Sequence, residues 1–280
     1  MGSPRDGVYC QQGREIVKPR KAALLTNLCV SVIIGLAAAG SMTARAAGPP
    51  KPTISEEASA ALAHMGTTLQ AKEFSFHART IRVYADQNGE LLHIAHAFKV
   101  VVRRPDRLLI EGTGDDGPRK LVYDGTTALL TLDDAKKYVS LPVPPTIQGM
   151  MHVVIGHFGV DFPLADFLTE APDKAFLTGV TAGRQVNLVT IDGVPCRHLV
   201  FSQPPGIELE LWLENNDKAL PRRLIVTYRS QPGAPNFVAE MSDWDFTIHP
   251  SDADFKAEPP QGAEPLQLGA AFGHSTGAKQ

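Results

Sequence analysis

Nine histidines are the residues of this chain best suited to chemistry, and metal binding is the first chemistry they suggest. His93 and His96 are three positions apart in a predicted strand, so their side chains point to opposite faces. His152 and His157 are five positions apart in a predicted helix, which separates them by about 140° around its axis. Neither pair can chelate one ion. The sequence therefore predicts no metal site and no cofactor.

Candidate nucleophiles and acid–base residues are as isolated as the histidines. Cys196 is the only cysteine after residue 46, and it lies in a strand-like run, which indicates a buried, unreactive thiol. The acidic doublets at 115–116 and 133–134 fall in predicted turns, where carboxylates are usually solvated. The chain has no HExxH, GxSxG, GxxxxGK[ST] or GxGxxG motif in its required context. We predict a protein that is not an enzyme; activity that depends on His198 or Asp166 would be the alternative.

A hairpin over residues 207–229 is the clearest structural signal among the elements that must position these side chains. Its first strand alternates leucines at 209, 211 and 213 with glutamates at 208, 210 and 214. Such alternation is the period-2 pattern of a strand with one buried and one solvated face. An antiparallel register with Glu214 opposite Arg223 would also place Glu208 opposite Arg229, which pairs opposite charges on the solvated face.

The rest of the chain is typical of one antiparallel sheet preceded by an amphipathic helix. Thr53 and Glu56 form a capping-box pattern, and apolar residues at helical spacing follow as far as Gln70. In the last strand a bulge at Ser242-Asp243 would bring Trp244 back into phase. No helical period interrupts the strands up to residue 141, so the predicted fold class is α+β, mainly antiparallel β. Besides the hairpin, strands are predicted at 74–84, 91–103, 107–111, 120–123, 126–132, 138–141, 185–191, 194–203 and 237–246.

An apolar segment over residues 143–168 interrupts the series of strands. It contains methionines at 150 and 151, is loosened by Gly149 and Gly156, and is apolar on nearly every side. A second short helix is predicted to begin at Pro163. A helix that is apolar all round must be buried or must cover something apolar. Two interpretations stay open: a core helix, or a lid over a hydrophobic cavity, which methionines suit because they adapt to irregular shapes.

Residues 1–46 have the pattern of a secretory signal peptide. A basic stretch that includes Arg14 and Lys18 precedes an apolar run at 22–39, and Ala44-Arg45-Ala46 supplies a cleavage site. The alternative is an uncleaved anchor, since the apolar run approaches membrane-spanning length. Cleavage near Ala46 predicts a periplasmic protein with no stable membrane span. Loss of six Lys/Arg and two Asp/Glu leaves a net charge of −7, which argues against nucleic acid as a partner.

Several short blocks resemble one bacterial family. The blocks are Arg103-Arg104-Pro105-Asp106-Arg107-Leu108, Tyr123-Asp124-Gly125, Pro142-Val143-Pro144-Pro145-Thr146, Phe162-Pro163-Leu164-Ala165-Asp166 and Leu220-Pro221-Arg222-Arg223-Leu224. Together they resemble the predicted periplasmic family called domain of unknown function 2092, from about Ile54 to Ala263. The resemblance implies a fold similar to the lipoprotein carrier LolA and the regulator RseB, an open and curved antiparallel half-barrel with short helices covering its concave face. It supplies no catalytic residues.

The mature chain is accordingly predicted to be a single domain over residues 47–263, with a disordered tail at 264–280. Its predicted function is to bind or carry a lipid, a lipoprotein acyl chain or another hydrophobic ligand beneath residues 143–168. The alternative is a module that binds an envelope protein, or senses stress, with its curved sheet. The residues expected to line the cavity are Met150, Met151, Val154, Ile155, Phe158, Leu164, Phe167, Leu209, Leu211 and Leu213.

Overall fold

The computed structural model describes residues 53–134, 136–158 and 162–266. The predicted signal peptide at 1–46 lies outside the described residues, as does the predicted disordered tail from residue 267 onward. No helix in the described ranges combines the length and the apolar character needed to cross a membrane.

Twelve strands of the described chain form one open sheet. They are β1 Glu73–Ala85, β2 Leu91–Arg103, β3 Arg107–Gly114, β4 Arg119–Tyr123, β5 Thr127–Leu132, β6 Lys137–Pro142, β7 Ala182–Ile191, β8 Val194–Gln203, β9 Ile207–Glu214, β10 Pro221–Tyr228, β11 Asn236–Asp245 and β12 Glu264–Pro265. Their order is β12-β6-β5-β4-β3-β2-β1-β11-β10-β9-β8-β7, and only the β12–β6 pair is parallel. The predicted antiparallel fold with an open sheet is confirmed.

The helices of the described chain are short except for the first. They are α1 Glu56–Leu69, α2 Ile147–Phe158, α3 Ala165–Leu168 and α4 Pro172–Phe176, and a turn of 3-10 helix spans Asp252–Phe255. Neither α4 nor β12 was predicted, because such short elements have no periodic pattern. Strand β12 pairs with β6 and lies beyond residue 263, where the domain was predicted to end. The Glu264 N–H donates a hydrogen bond to the Lys136 carbonyl at 2.9 Å.

Strand registers bring the apolar residues onto one face of the sheet, here called the inner face. Phe76 lies opposite Val100, and Val100 lies opposite Ile110. Leu224 lies opposite Ala239 in the other half of the sheet. Directly opposite residues share a face, so these side chains form continuous apolar rows. The helices pack against the rows, and the main core lies between them and the inner face. The other face is called the outer face.

Helix α1 begins at a different cap from the one predicted. Ser55 is the N-cap residue, and its hydroxyl accepts a hydrogen bond from the Ala58 N–H at 3.3 Å. The prediction of a cap at Thr53 was wrong because the chain just before the helix pairs with β7, where Ile54 bridges to Gly183. There the Thr53 carbonyl accepts a hydrogen bond from the Gly183 N–H at 3.2 Å.

The β9–β10 hairpin forms as predicted, but its register differs. Arg223 lies opposite Trp212, and Pro221 lies opposite Leu213, so one extra residue at position 222 forms a bulge. Proline has no N–H to donate to the ladder, which favours irregular pairing at this point. Arg223 instead forms an ion pair with Glu240 of β11 at 2.6 Å.

Strand β11 contains the predicted bulge after Ser242. Its pairing with β1 shifts by one residue there, and Asp243 adopts a φ of 54°. Trp244 consequently returns to the inner face, where its ring stacks on Phe76 with centroids 4.3 Å apart. The prediction that a bulge restores the phase of the strand is confirmed.

Candidate binding cavity

A cavity of about 420 Å³ lies between α2 and the inner face of the sheet. Such a volume falls within the range of about 300–1,000 Å³ that is common for small-molecule sites. Most of its wall is apolar. The apolar lining consists of Met151, Val154 and Ile155 from α2, Ile94, Phe98, Ile110, Leu121, Leu130, Leu132 and Val139 from the strands, and Phe162, Phe237 and Leu266.

Helix α2 presents one side to the cavity and another to the core. Met151, Val154 and Ile155 recur at i, i+3 and i+4, which places them on the same side of the helix. Ile147 and Met150 form a second pair at i and i+3, and they are only 2% and 0% exposed within the main core. The helix is therefore both a packed core element and the roof of the cavity.

The ten residues predicted to line a cavity occupy different environments. Met151, Val154 and Ile155 lie on the cavity wall. Leu209 lines a separate cavity of about 290 Å³ beside α3 and α4. The side chain of Phe158 lies outside the described residues. The remaining five lie in the packed core rather than on the cavity wall, because the helices pack closely on that part of the inner face: Met150, Leu164, Phe167, Leu211 and Leu213.

Three polar side chains form a linked cluster on the cavity wall. His96 Nε2 and Asp116 Oδ1 are 2.7 Å apart, and Arg119 Nη2 forms an ion pair with the same carboxylate oxygen. Gly114, opposite His96, makes room for the imidazole, since a Cβ there would lie 2.3 Å from the ring. Partial burial acts to raise the pKa of the Asp116 carboxyl, but the hydrogen bonds from Arg119 and His96 outweigh it and hold the pKa below its usual value.

Arg82 brings a second guanidinium group to the same wall. Its Cζ atom lies 4.9 Å from the centroid of the Phe237 ring and 6.0 Å from that of Tyr84. All three residues line the cavity, and Tyr84 is 49% exposed, so this part of the wall reaches solvent. Among the described residues, the charged groups of the wall are these two guanidinium groups and the Asp116 carboxylate. Arg82, His96, Asp116 and Arg119 are called the charged end below.

The charged end was not predicted from the sequence. The pattern that could have revealed it is a polar residue at a strand position where the alternation calls for an apolar one. His96 lies between Ile94 and Phe98 on the inner face of β2, and Arg82 interrupts the inner face of β1 in the same way. Such a residue needs a partner, because a buried polar group without one is costly. The partner Asp116 lies in the turn after β3, and strand periodicity says nothing about where a turn residue points.

Cys196 and His198, two other residues that could take part in chemistry, lie in surroundings that indicate a structural role. Cys196 is buried, as predicted; burial raises the pKa of its thiol, and its Sγ donates to the Val194 carbonyl at 3.4 Å. On the outer face, the His198 ring stacks on Trp212 with centroids 4.1 Å apart, and its Nε2 lies 2.9 Å from Glu210 Oε2. Within the described ranges, no group of three or more His, Cys, Asp or Glu side chains is placed to hold a metal ion.

A wider groove of about 710 Å³ crosses the outer face. Many of its charges are matched within the protein: Lys120 lies 2.9 Å from Glu111, and His77 lies 3.2 Å from Asp243. Exposed pairs of this kind contribute only about 0–1 kcal/mol each to stability, and they leave no clear excess of one charge for a ligand. The groove therefore indicates no ligand class.

A family model described as "Predicted periplasmic protein (DUF2092)" matches residues 58–268 of the chain. The chain belongs to this family. The match confirms the family resemblance that the sequence blocks indicated. It includes α2 and every residue of the charged end. A comparison with functionally curated proteins found no match.

Several solved structures resemble this DUF2092 protein at low sequence identity. The lipoprotein LppX from Mycobacterium tuberculosis is 17% identical, with 70% of this chain and 99% of LppX covered and a TM-score of 0.42. A LolA superfamily protein from Nitrosomonas europaea is 11% identical, with coverages of 70% and 97% and a TM-score of 0.35. MucB from Pseudomonas aeruginosa, in complex with MucA, is 14% identical, with coverages of 72% and 61% and a TM-score of 0.40. These similarities concern the fold alone.

Proposed function

We propose that this protein binds and carries a lipid, an acylated molecule or another ligand with a long apolar part, and does not catalyse a reaction. The observation that carries the proposal is the cavity of about 420 Å³ under α2, whose wall is apolar except at the charged end. An engineered apolar cavity of about 150 Å³ is enough to bind benzene. Transfer of a hydrocarbon chain from water would favour binding by roughly 25 cal/mol per Å² of apolar surface buried.

Export to the periplasm is part of the proposal. The description of the family supports the compartment, and the basic stretch, the apolar run and the small-residue site of residues 1–46 support cleavage after Ala46. A carrier in an aqueous compartment must shield an apolar ligand, and a roofed cavity suits that task. N-terminal sequencing of protein from a periplasmic extract should begin at Ala47. A chain that keeps the apolar run would contradict cleavage.

Native mass spectrometry tests the binding proposal directly. Protein purified from its own periplasm without detergent should carry adducts of lipid mass, and extraction with organic solvent should release them. The extracted protein should then take up a fluorescent fatty acid. Bare protein that also fails to take up the fatty acid would contradict the proposal.

A cavity-filling variant locates the ligand. Val154 lies on the cavity side of α2, whereas His152, two residues earlier, is exposed. Val154→Trp should reduce uptake of the fluorescent fatty acid by about tenfold or more, since the indole would occupy space that the chain needs. His152→Trp is the matched control and should bind normally. Equal binding by both variants, with both folded, would place the ligand elsewhere.

Edge strand β7 favours a second candidate function, binding of an envelope protein. The edge of β7 that faces away from β8 pairs with the rest of the described chain only near its start, where Ile54 bridges to Gly183. Val186 and Leu188 are 40% and 59% exposed along the strand. An open edge of this kind can accept a strand from a partner. A pull-down that returns one stoichiometric envelope protein, and loses it with Leu188→Lys, would favour this function over carriage.

A further inference from the structure

Two cavities lie side by side on the inner face of the sheet. The larger cavity, of about 420 Å³, lies under α2, and the smaller cavity, of about 290 Å³, lies beside α3 and α4. Val226 lines the smaller cavity and is directly opposite Phe237, which lines the larger one. On the helical side, the consecutive residues Phe162 and Pro163 line the larger and the smaller cavity respectively. The two cavities are therefore neighbours that share one partition.

One cross-strand row of side chains forms part of the floor of both cavities. The row begins in the smaller cavity and ends in the larger one, and each member lies opposite the next: Leu209, Val226, Phe237, Arg82 and Ile94. Four of these five side chains are apolar. Each cavity also exceeds the volume of about 150 Å³ that is enough to bind benzene. An apolar group can therefore be accommodated on each side of the partition.

Both cavities extend to the same end of the sheet. Tyr84 lines the larger cavity and Tyr228 lines the smaller one. The Tyr228 N–H donates a hydrogen bond to the Pro235 carbonyl at 3.0 Å. Because Arg82 lies opposite Phe237, antiparallel pairing brings Tyr84, two residues later in β1, level with Pro235, two residues earlier than Phe237. The two tyrosines therefore flank the same point of the chain.

Exposure shows that this end is the open one. Tyr84 is exposed and Tyr228 is half-buried. Four residues further into the sheet on the same faces, Thr80 and Leu224 line the two cavities and are buried. Both cavities therefore become deeper in the same direction, away from the tyrosines.

We propose that the ligand has two apolar chains joined at one polar group, with one chain in each cavity and the polar group at the shared open end, between Tyr84 and Tyr228. The proposal rests on the proposed function, because it requires the larger cavity to take a chain. A tyrosine has an apolar ring and a polar hydroxyl tip, which suits the place where an apolar site meets water. A two-chain lipid would bury both chains and leave its polar group in water.

Two lipids with the same headgroup and the same number of chain carbons test the number of chains. Dioctanoyl phosphatidylcholine has two chains of eight carbons, and palmitoyl lysophosphatidylcholine has one chain of sixteen. Their affinities can be measured by displacement of a fluorescent fatty acid at concentrations too low for micelles to form. The two-chain lipid should bind about tenfold or more tightly, since the long single chain must leave part of its length in water or cross the partition.

The same measurement separates this proposal from the proposed function. Equal affinities of the two lipids, or tighter binding of the single chain, would overturn the two-chain proposal and leave the proposed function standing. Failure of both lipids to displace a bound fatty acid would have the same meaning. The proposed function itself fails only if the fatty acid does not bind either.

Substitutions in the smaller cavity assign the second chain to it. Ala175 lines this cavity from α4, whereas its neighbour Lys174 is exposed. Ala175→Trp should weaken binding of the two-chain lipid about tenfold and leave binding of the lysolipid unchanged, because the indole would occupy the space of one chain only. Lys174→Trp is the matched control and should bind both lipids normally. Val154→Trp, in the larger cavity, should weaken binding of both.

A second variant guards against a folding defect in Ala175→Trp. Thr178 is an exposed residue on the wall of the smaller cavity, so Thr178→Trp should fold and should also weaken binding of the two-chain lipid selectively. Binding of the two-chain lipid that is unaffected by both substitutions in folded protein would overturn the proposal.

Two sources can supply a pair of chains joined at one polar group: a free membrane lipid, or the diacylglyceryl end of a lipoprotein. A short peptide that carries a dioctanoylglyceryl group on cysteine has the same two chains as dioctanoyl phosphatidylcholine. Once the two-chain preference is established, the tighter binder of this pair identifies the source. Loss of that binding in Ala175→Trp is expected for either source.

Discussion

The hydroxyl oxygen of Tyr123 lies 2.6 Å from the carbonyl oxygen of Pro144 and donates a hydrogen bond to it. Tyr123 is fully buried at the end of β4, and Pro144 comes shortly before α2. A second bond fixes the first residue of the helix, because the Ile147 N–H donates to the Pro105 carbonyl at 2.9 Å. Two hydrogen bonds therefore hold the start of the cavity roof, one to the end of β4 and one to the turn between β2 and β3.

Removal of the first tie should destabilise the fold modestly. Tyr123→Phe deletes the hydroxyl and keeps the buried ring, so we expect a loss of about 1 kcal/mol in the free energy of unfolding. Urea denaturation measures this quantity. Tyr84→Phe, at an exposed tyrosine, should change it by less than about 0.5 kcal/mol. Equal losses in the two variants would contradict a specific role for the Tyr123 bond.

The same tyrosine should make stability depend on alkaline pH. Burial, reinforced by the nearby Asp106 carboxylate, raises the pKa of Tyr123 to about 12. In the unfolded chain a tyrosine ionises near pH ~10, so between about pH 10 and 12 the unfolded state holds fewer protons than the folded state. The stability from this group is therefore present below pH ~10 and is lost as pH rises through the folded pKa. In urea titrations over this interval, the stability of the wild type should fall more steeply than that of Tyr123→Phe.

Arg104 links the ends of two helices. Its Nη1 atom donates to the Leu168 carbonyl at 2.5 Å, and its Nη2 atom donates to the Leu69 carbonyl at 2.8 Å. Burial lowers the pKa of Arg104 to about 10, which still leaves the guanidinium charged at neutral pH. Arg104→Met should reduce the free energy of unfolding by about 3 kcal/mol, because bonds to a charged donor are strong and two carbonyls lose their partner. Arg79→Met, on the exposed outer face, is the control; a similar loss there would contradict this account.

The fold was predictable from the sequence where a pattern repeats, as in the alternating leucines at 209, 211 and 213. The register of that hairpin was not, because the predicted register with Glu214 opposite Arg223 assumed regular pairing, and the bulge beside Pro221 places Arg223 opposite Trp212. Part of the cavity wall was predictable, since Met151, Val154 and Ile155 share one helix side. The charged end was not, because its residues come from β1, β2, β4 and the turn after β3, which are distant in sequence.

Two glycines of α2 should respond oppositely to alanine. Among the residues that the structure describes, a Cβ at Gly156 would meet no heavy atom within 4 Å, so Gly156→Ala should stabilise the protein by about 0.5–1 kcal/mol through helix propensity. A Cβ at Gly149 would lie 2.8 Å from Pro144 and 2.9 Å from the Thr146 hydroxyl, so Gly149→Ala should destabilise it. Thermal unfolding measures both shifts. A change of the same sign in the two variants would contradict this packing of the roof.

Gly112 should control the volume of the cavity through Phe98. A Cβ at Gly112 would lie 2.3 Å from the ring of Phe98, which belongs to the neighbouring strand β2 and lines the cavity. In Gly112→Ala the ring must move, and a crowded core of this kind costs typically about 1–3 kcal/mol. We expect lower stability and weaker fatty-acid uptake.

A second substitution separates the crowding from other effects of the alanine. Leucine at position 98 removes the ring that meets the new methyl group, so Gly112→Ala with Phe98→Leu should regain stability and uptake relative to Gly112→Ala alone. Double-mutant analysis of both measurements gives the coupling energy between the two positions. If the losses of stability and uptake were additive, with no recovery in the double variant, contact between the Phe98 ring and position 112 would not control the volume of the cavity.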